Sequence, residues 1–225
     1  MGKRKSTWLS PTKEKALYEK NRRIYKRNVI IATIVCTLLV VAIGMSAFGI
    51  VQSLRPYYAF IEIEGYGTIV IKLNNSEAPE TVDAFVELAE SGYYDGTLIH
   101  RAFTNKYFQA GFRDDIVVEP IKGEFSKNGV ENNLSHIRGT ISMSRQIGEG
   151  EGDKDFYNTA TGQFFILQRD MLSMDGKYAA FGTVIEGMDI VDRICDNAKT
   201  DGNGNIVKTE QPIITAVRIE RSYSE

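Results

Sequence analysis

Residues 100–112 read HRAFTNKYFQAGF and belong to the most informative pattern in the chain. Its apolar and aromatic residues predict short strands at 98–103 and 107–112. Within it, Gln109 follows Arg101 by eight residues. Each part of this pattern is common alone, but the order and spacing of all its parts are specific. The remaining parts are QFFI at 163–166, DGK at 175–177 and FG at 181–182.

Segments on both sides of this pattern predict further strands and helices. Two β-rich runs around Gly65-Tyr66-Gly67 predict a hairpin. Pro79 and the apolar stripe after it predict a helix with the proline in its first turn, and a second helix is predicted at about 187–197. Periodicity alone therefore predicts a β-rich domain with two helices. The predicted strands are 58–64, 68–73, 98–103, 107–112, 139–144, 163–168, 179–185 and 213–219.

This ordered set of motifs resembles the active-site framework of the cyclophilins, and the resemblance spans roughly residues 57–221. It implies a mainly β fold, a closed eight-stranded antiparallel β-barrel capped by two helices. It also implies peptidyl-prolyl cis-trans isomerase activity without a cofactor or metal. The partners would be proline-containing polypeptides, and the domain would be a monomer.

The resemblance also assigns roles to individual residues. Arg101 matches the arginine that stabilises the twisted amide, and Gln109 matches the glutamine that binds the substrate backbone and holds the arginine in place. These two are the candidate catalytic residues. His100 is expected to be structural. The candidate substrate-binding residues are Lys106, Tyr107, Met143, Ser144, Gln163, Phe165, Met174 and Tyr178.

Several positions depart from the family pattern. Lys106 stands where a pocket phenylalanine is usual, and an ammonium buried in an apolar pocket is costly. Ser144-Arg145 replaces the usual Ala-Asn, and Ala110-Gly111-Phe112 replaces Gly-Gly-Asp. The loop between Met143 and Gln163, which carries the acidic run 149–155, is longer than usual. The sequence thus leaves two hypotheses, an isomerase and a non-catalytic module that binds proline-containing segments.

The N-terminal part differs sharply from this domain. Residues 1–28 hold ten lysines and arginines against two glutamates, a net charge of +8 in a chain whose total is −2. Residues 29–51 follow without a charge, and 23 residues of helix reach roughly 34 Å, enough to cross a membrane. The sequence therefore predicts a basic tail at 1–28, a transmembrane anchor at 29–51 and an isomerase domain at 56–225.

The positive-inside tendency places the basic tail in the cytoplasm and the domain outside the cell membrane, which the chain crosses once. A cleaved signal peptide is one alternative, since Ala47-Phe48-Gly49 is a passable cleavage site. A buried core helix is another, although the run has no polar face. Beside an apolar span, the basic tail is expected to meet anionic lipid rather than nucleic acid.

No motif predicts a metal site. Residues 201–205 read DGNGN and resemble the start of an EF-hand loop, but Ile206 occupies the position of its glycine. Pro212 occupies the position of its last glutamate, so this segment is predicted to be a turn. The two histidines, His100 and His136, are far apart in sequence.

Overall fold

A computed structural model describes residues 11–53 and 56–223 of the chain. The chain divides into two compact units, residues 1–55 and 56–225. The first ten residues of the predicted tail and residues 54–55, just before the predicted domain, lie outside the described residues.

The first unit contains one long helix, α1, at Pro11–Ser53. It runs through the end of the basic segment and through the uncharged run. Its residues 11–45 include an apolar window with a mean hydropathy of 2.5, none of which is buried. A helix of this length and composition fits a membrane anchor and also fits a signal sequence.

The second unit is mainly β, and its described residues form eight strands and two α-helices. All the strand pairs are antiparallel, in the order β3-β4-β6-β5-β7-β2-β1-β8. The strands are β1 Tyr58–Ile63, β2 Gly67–Leu73, β3 Arg101–Phe103, β4 Tyr107–Ala110, β5 Thr140–Met143, β6 Phe164–Leu167, β7 Ala180–Glu186 and β8 Ile214–Glu220. The helices are α2 Pro79–Glu90 and α3 Met188–Asn197.

The sheet is curled, and β3 and β8 form its edges. Among the described residues these two strands do not pair as a ladder. The segments just before them are joined by an isolated bridge between Leu98 and Ile213, and Ile99 N–H donates to the Pro212 carbonyl at 2.9 Å. An eight-stranded antiparallel sheet is therefore present, while complete closure into a barrel stays a prediction.

The core contains a cluster of aromatic rings. Phe85 of α2 is fully buried and packs against Tyr94, Phe164 and Phe181, with ring centroids 5.1, 5.7 and 5.2 Å away. All four residues of β6 are buried. Phe164 faces this cluster, and its neighbour Phe165 lies on the other face because successive side chains alternate along a strand. The core thus supports the strand that carries the candidate pocket.

The start of α2 is stabilised by a residue from a distant loop. The buried carboxylate of Glu124 accepts hydrogen bonds from the backbone N–H groups of Glu80 and Thr81 at 3.1 and 2.8 Å. Thr81 also donates its hydroxyl to Glu124 at 2.6 Å. A negative charge at a helix N-terminus satisfies free backbone donors and complements the helix dipole.

Candidate functional site

The β3–β4 hairpin explains the eight-residue spacing between Arg101 and Gln109. Thr104–Lys106 form its turn, and Asn105 has φ 61°, a left-handed conformation that asparagine tolerates. Phe103 pairs with Tyr107, so Arg101 must pair with Gln109 two steps further out. Residues directly opposite each other in a sheet share a face, so these two side chains project together.

Phe165 extends the same row onto a third strand. It pairs with Gln109 across β4 and β6. The three residues that the sequence analysis placed at the centre of the site therefore stand side by side on three neighbouring strands. They line a groove of about 250 Å³. The other lining residues are Tyr107, Ser144, Arg145, Gln146, Ile147, Thr159, Thr161, Gln163, Met174 and Tyr178.

Gln109 is fixed by two side chains of the groove. Its Nε2 donates to Ser144 Oγ at 3.1 Å and to Gln163 Oε1 at 3.0 Å. These bonds use both hydrogens of the side-chain amide, which leaves its oxygen, Oε1, to accept a hydrogen bond. Arg101 donates no hydrogen bond to the Gln109 amide oxygen among the described residues, so the expected direct hold of Gln109 on Arg101 is not seen.

Arg101 is held from the opposite side. Its Nη2 donates to the backbone carbonyl of Asn203 at 3.1 Å, and its Cζ lies 5.2 Å from the centre of the Phe103 ring. Its buried Nε–H has no partner among the described residues. The guanidinium, which lines the groove, therefore keeps donors that no group of the described residues uses.

An aromatic wall forms the apolar side of the groove. Phe165 is 3% exposed, and the rings of Tyr107 and Tyr178 lie 5.3 and 5.5 Å from it. Burial raises the pKa of both tyrosines, although Arg101 lowers that of Tyr107 and Arg145 lowers that of Tyr178. Both phenols are thus neutral at physiological pH, and the wall carries no anion.

His136 supports this wall, and the sequence analysis missed that role. Its ring stacks on Phe165 with a centroid distance of 6.3 Å. Nδ1 lies 2.8 Å from the Asp175 carboxylate and Nε2 lies 3.1 Å from Ser142 Oγ. Burial lowers the pKa of His136, with the hydrogen bond to Asp175 opposing that shift. Sequence periodicity could not predict these contacts of His136, because the partners come from separate strands and loops.

Two of the predicted substrate-binding residues lie outside the groove lining. Lys106 is exposed in the hairpin turn, and its Nζ lies 5.5 Å from the Phe103 ring centre. The predicted cost of burying this ammonium therefore does not arise. Met143 is 1% exposed and belongs to the core, where it pairs with Phe164. The other six predicted substrate-binding residues line the groove.

Arg145 is a second residue whose part the sequence did not reveal. Its side chain is 3% exposed and makes a two-point ion pair with Asp153 at 2.8 and 2.9 Å. Its Cζ also lies 5.0 to 5.6 Å from the rings of Phe125, Tyr157 and Tyr178. A buried arginine needs such partners. It fastens the 3₁₀ turn Gly150–Phe156 of the long loop to the groove wall.

Comparison with known proteins identifies the family to which this site belongs. The sequence profile described as "Cyclophilin type peptidyl-prolyl cis-trans isomerase/CLD" matches residues 58–222. The chain belongs to the cyclophilin-type peptidyl-prolyl cis-trans isomerases. The matched range contains every strand and both helices of the second unit of this cyclophilin. The resemblance and the enzyme class expected from the sequence are thus confirmed.

Similar proteins of this class occur in bacteria. Peptidyl-prolyl cis-trans isomerase B of Escherichia coli is 32% identical over 163 residues, which cover 68% of this chain and 94% of that protein. A peptidyl-prolyl cis-trans isomerase of Acinetobacter baylyi is 33% identical over 153 residues, covering 66% of this chain and 79% of that protein.

The fold is similar to that of a solved cyclophilin. A crystal structure of a Cryptosporidium parvum cyclophilin type peptidyl-prolyl cis-trans isomerase, determined in the presence of the dipeptide Ala-Pro, has a TM-score of 0.60 and 23% identity. It covers 72% of this chain and 98% of the other. At this identity the likeness concerns the fold.

Proposed function

We propose that this cyclophilin accelerates cis-trans interconversion of X–Pro bonds in extracytoplasmic polypeptides, with Arg101 as the catalytic residue. One observation carries the proposal. Arg101, Gln109 and Phe165 stand in one row across three strands and face one groove. The row combines a permanent cation, a fixed amide and an apolar ring.

This combination suits the chemistry of amide rotation. The barrier of about 18–20 kcal/mol comes from lost resonance, and no bond is broken. As the amide twists, its nitrogen gains a lone pair that a fixed donor can stabilise. Arg101 supplies that donor, because its guanidinium is always charged and keeps unused N–H groups. The reaction therefore needs no nucleophile.

The other groove residues bind the substrate in this proposal. The proline ring packs against Phe165, with Tyr107, Met174 and Tyr178 around it. The side-chain amide oxygen of Gln109, Oε1, accepts a backbone N–H of the bound segment. Support for a peptide substrate comes from the solved relative, which was determined with Ala-Pro present.

A binding module without catalysis is the second candidate function. The sequence favoured this candidate because Lys106 stands where a pocket phenylalanine is usual, but Lys106 lies outside the groove lining. A protease-coupled assay on the full chain in detergent tests the choice, with a proline-containing tetrapeptide as substrate. We expect a rate that rises linearly with protein concentration. Peptide binding without any rate increase would establish the binding module.

We further propose that α1 anchors the domain outside the cell membrane, with residues 1–28 in the cytoplasm. Its support is the uncharged run at 29–51 after a segment of net charge +8. In the same proposal the sheet closes into a barrel through the segments around Leu98 and Ile213, and the protein is a monomer.

Cysteine labelling on intact cells is expected to show this topology. Burial raises the pKa of Cys195 to about 12, so this thiol reacts poorly. With Cys36 replaced by serine, a membrane-impermeant maleimide should label Val117→Cys, which is 92% exposed, and spare Lys20→Cys. The reverse pattern would contradict the topology, and a mature chain that begins near residues 48–50 would support the signal peptide.

A further inference from the structure

We propose that Asp201 is a positioning residue for Arg101, acting through the backbone of Asn203 and Gly204. The inference rests on the proposed catalytic role of Arg101. It assigns a role in the reaction to residues 201–205, whose sequence resembles the start of an EF-hand loop.

The carboxylate of Asp201 organises its own turn. One oxygen accepts hydrogen bonds from the backbone N–H groups of Asn203 and Asn205 at 2.8 and 2.9 Å. The other oxygen accepts from Asn205 Nδ2 at 2.9 Å. These contacts lower the pKa of Asp201, so the carboxylate is ionised when it accepts them. An aspartate that binds following backbone amides fixes a turn from within.

The organised turn is fastened to the strand that carries Arg101. Ala102 N–H donates to the Gly204 carbonyl at 2.9 Å, and Ile206 N–H donates to the His100 carbonyl at 2.9 Å. The carbonyl of Asn203 then meets Arg101 Nη2 at 3.1 Å. This is the only hydrogen bond that Arg101 makes through its guanidinium to the described residues, so the carbonyl orients the group.

Gly204 allows the turn to approach this closely. Its φ is 79°, and a Cβ there would lie 2.3 Å from the ring of Phe103. The same ring lies 5.2 Å from the Arg101 Cζ. A side chain at position 204 would therefore displace the turn, the ring or both, and with them the guanidinium. Gly202 differs, because a Cβ at that position would meet no described atom within 4 Å and its φ lies outside the left-handed region.

A donor that is oriented before the substrate binds costs no reorganisation when the amide twists. A misplacement of about 1 Å can reduce a rate by about a hundredfold. The Asp201 carboxylate also lies close enough to Arg101 for their charges to interact. If Asp201 acted only through its charge, Asp201→Ala and Asp201→Asn would therefore be faster than the wild type, because Arg101 would lose a nearby anion. A positioning role makes them slower.

The test compares Asp201→Ala, Asp201→Asn, Gly204→Ala and the control Gly202→Ala in the full chain. We expect kcat to fall about tenfold in Asp201→Ala and Gly204→Ala, with KM within about twofold of the wild type. Asparagine keeps an oxygen for the backbone amides, so Asp201→Asn should recover part of kcat. Gly202→Ala should match the wild type.

A double-mutant cycle separates positioning from a general structural effect. In an Arg101→Ala background, Asp201→Ala should lower kcat no further, because the group that it positions is gone. An additive loss, or a wild-type kcat in both Asp201→Ala and Gly204→Ala, would overturn the inference. An inactive wild type, or a fully active Arg101→Ala, would instead overturn the proposed function, so the two failures are distinguishable.

Discussion

Arg101→Ala is expected to lower kcat about a hundredfold and to leave KM nearly unchanged. The variant removes the donor that the groove offers to the twisted amide nitrogen. That contact strengthens in the transition state, so its loss appears in turnover rather than in binding. Removal of one preorganised donor typically costs on the order of 3 kcal/mol. Protease-coupled kinetics over a range of peptide concentrations separate the two constants.

Arg218→Ala is the matched control for this variant. Arg218 is an arginine paired with the carboxylates of Glu62 and Glu220; it is 54% exposed and lies outside the groove lining. Its loss should leave kcat unchanged and alter stability by less than about 1 kcal/mol. An unchanged kcat in Arg101→Ala would remove the proposed mechanism and leave a module that only binds.

The largest effect on stability is expected from Phe85→Ala, with a loss of about 3–5 kcal/mol in the free energy of unfolding. Phe85 is fully buried and contacts three other rings of the core. Its removal leaves a cavity and also abolishes the edge and tilted ring contacts. Urea unfolding of the full chain in detergent, followed by near-ultraviolet circular dichroism, measures the change.

Phe112→Ala is the control for Phe85→Ala, since Phe112 is 53% exposed. Its substitution should change the free energy of unfolding by less than about 1 kcal/mol. A loss in Phe85→Ala no greater than that in Phe112→Ala would show that the aromatic cluster does not support the sheet.

Short-range features of the fold could be predicted from the sequence. The β3–β4 hairpin is local, so its turn fixes the pairing of Arg101 with Gln109. Strand ends were less accurate. The run predicted at 98–103 is a strand only from Arg101, because Leu98 instead forms an isolated bridge to Ile213. Periodicity reports the face that a residue occupies, but not where pairing begins.

Long-range polar contacts could not be predicted. Glu124 stabilises the start of α2 from 43 residues away, and Arg101 binds a carbonyl 102 residues away. Arg145 was noted only as a departure from the family pattern, although it holds Asp153 beside the groove. Such contacts depend on which loops are neighbours in the folded chain, and the periodicity of a single sequence does not show this.

Lys106 illustrates the same limit in the site. Its position in the motif suggested a place in the pocket, but the hairpin turn carries it to the surface. A substrate-binding role for Lys106 therefore stays a prediction, as do the roles of the groove residues.

The claim that this cyclophilin accelerates X–Pro isomerisation is best tested by equilibrium exchange NMR on a peptide that contains Ala-Pro, because this measurement needs no coupling protease. With the full chain in detergent at a small fraction of the peptide concentration, we expect cross-peaks between cis and trans resonances within about one second. Uncatalysed exchange takes tens to hundreds of seconds. Peptide resonances that shift on binding but show no cross-peaks would contradict the claim.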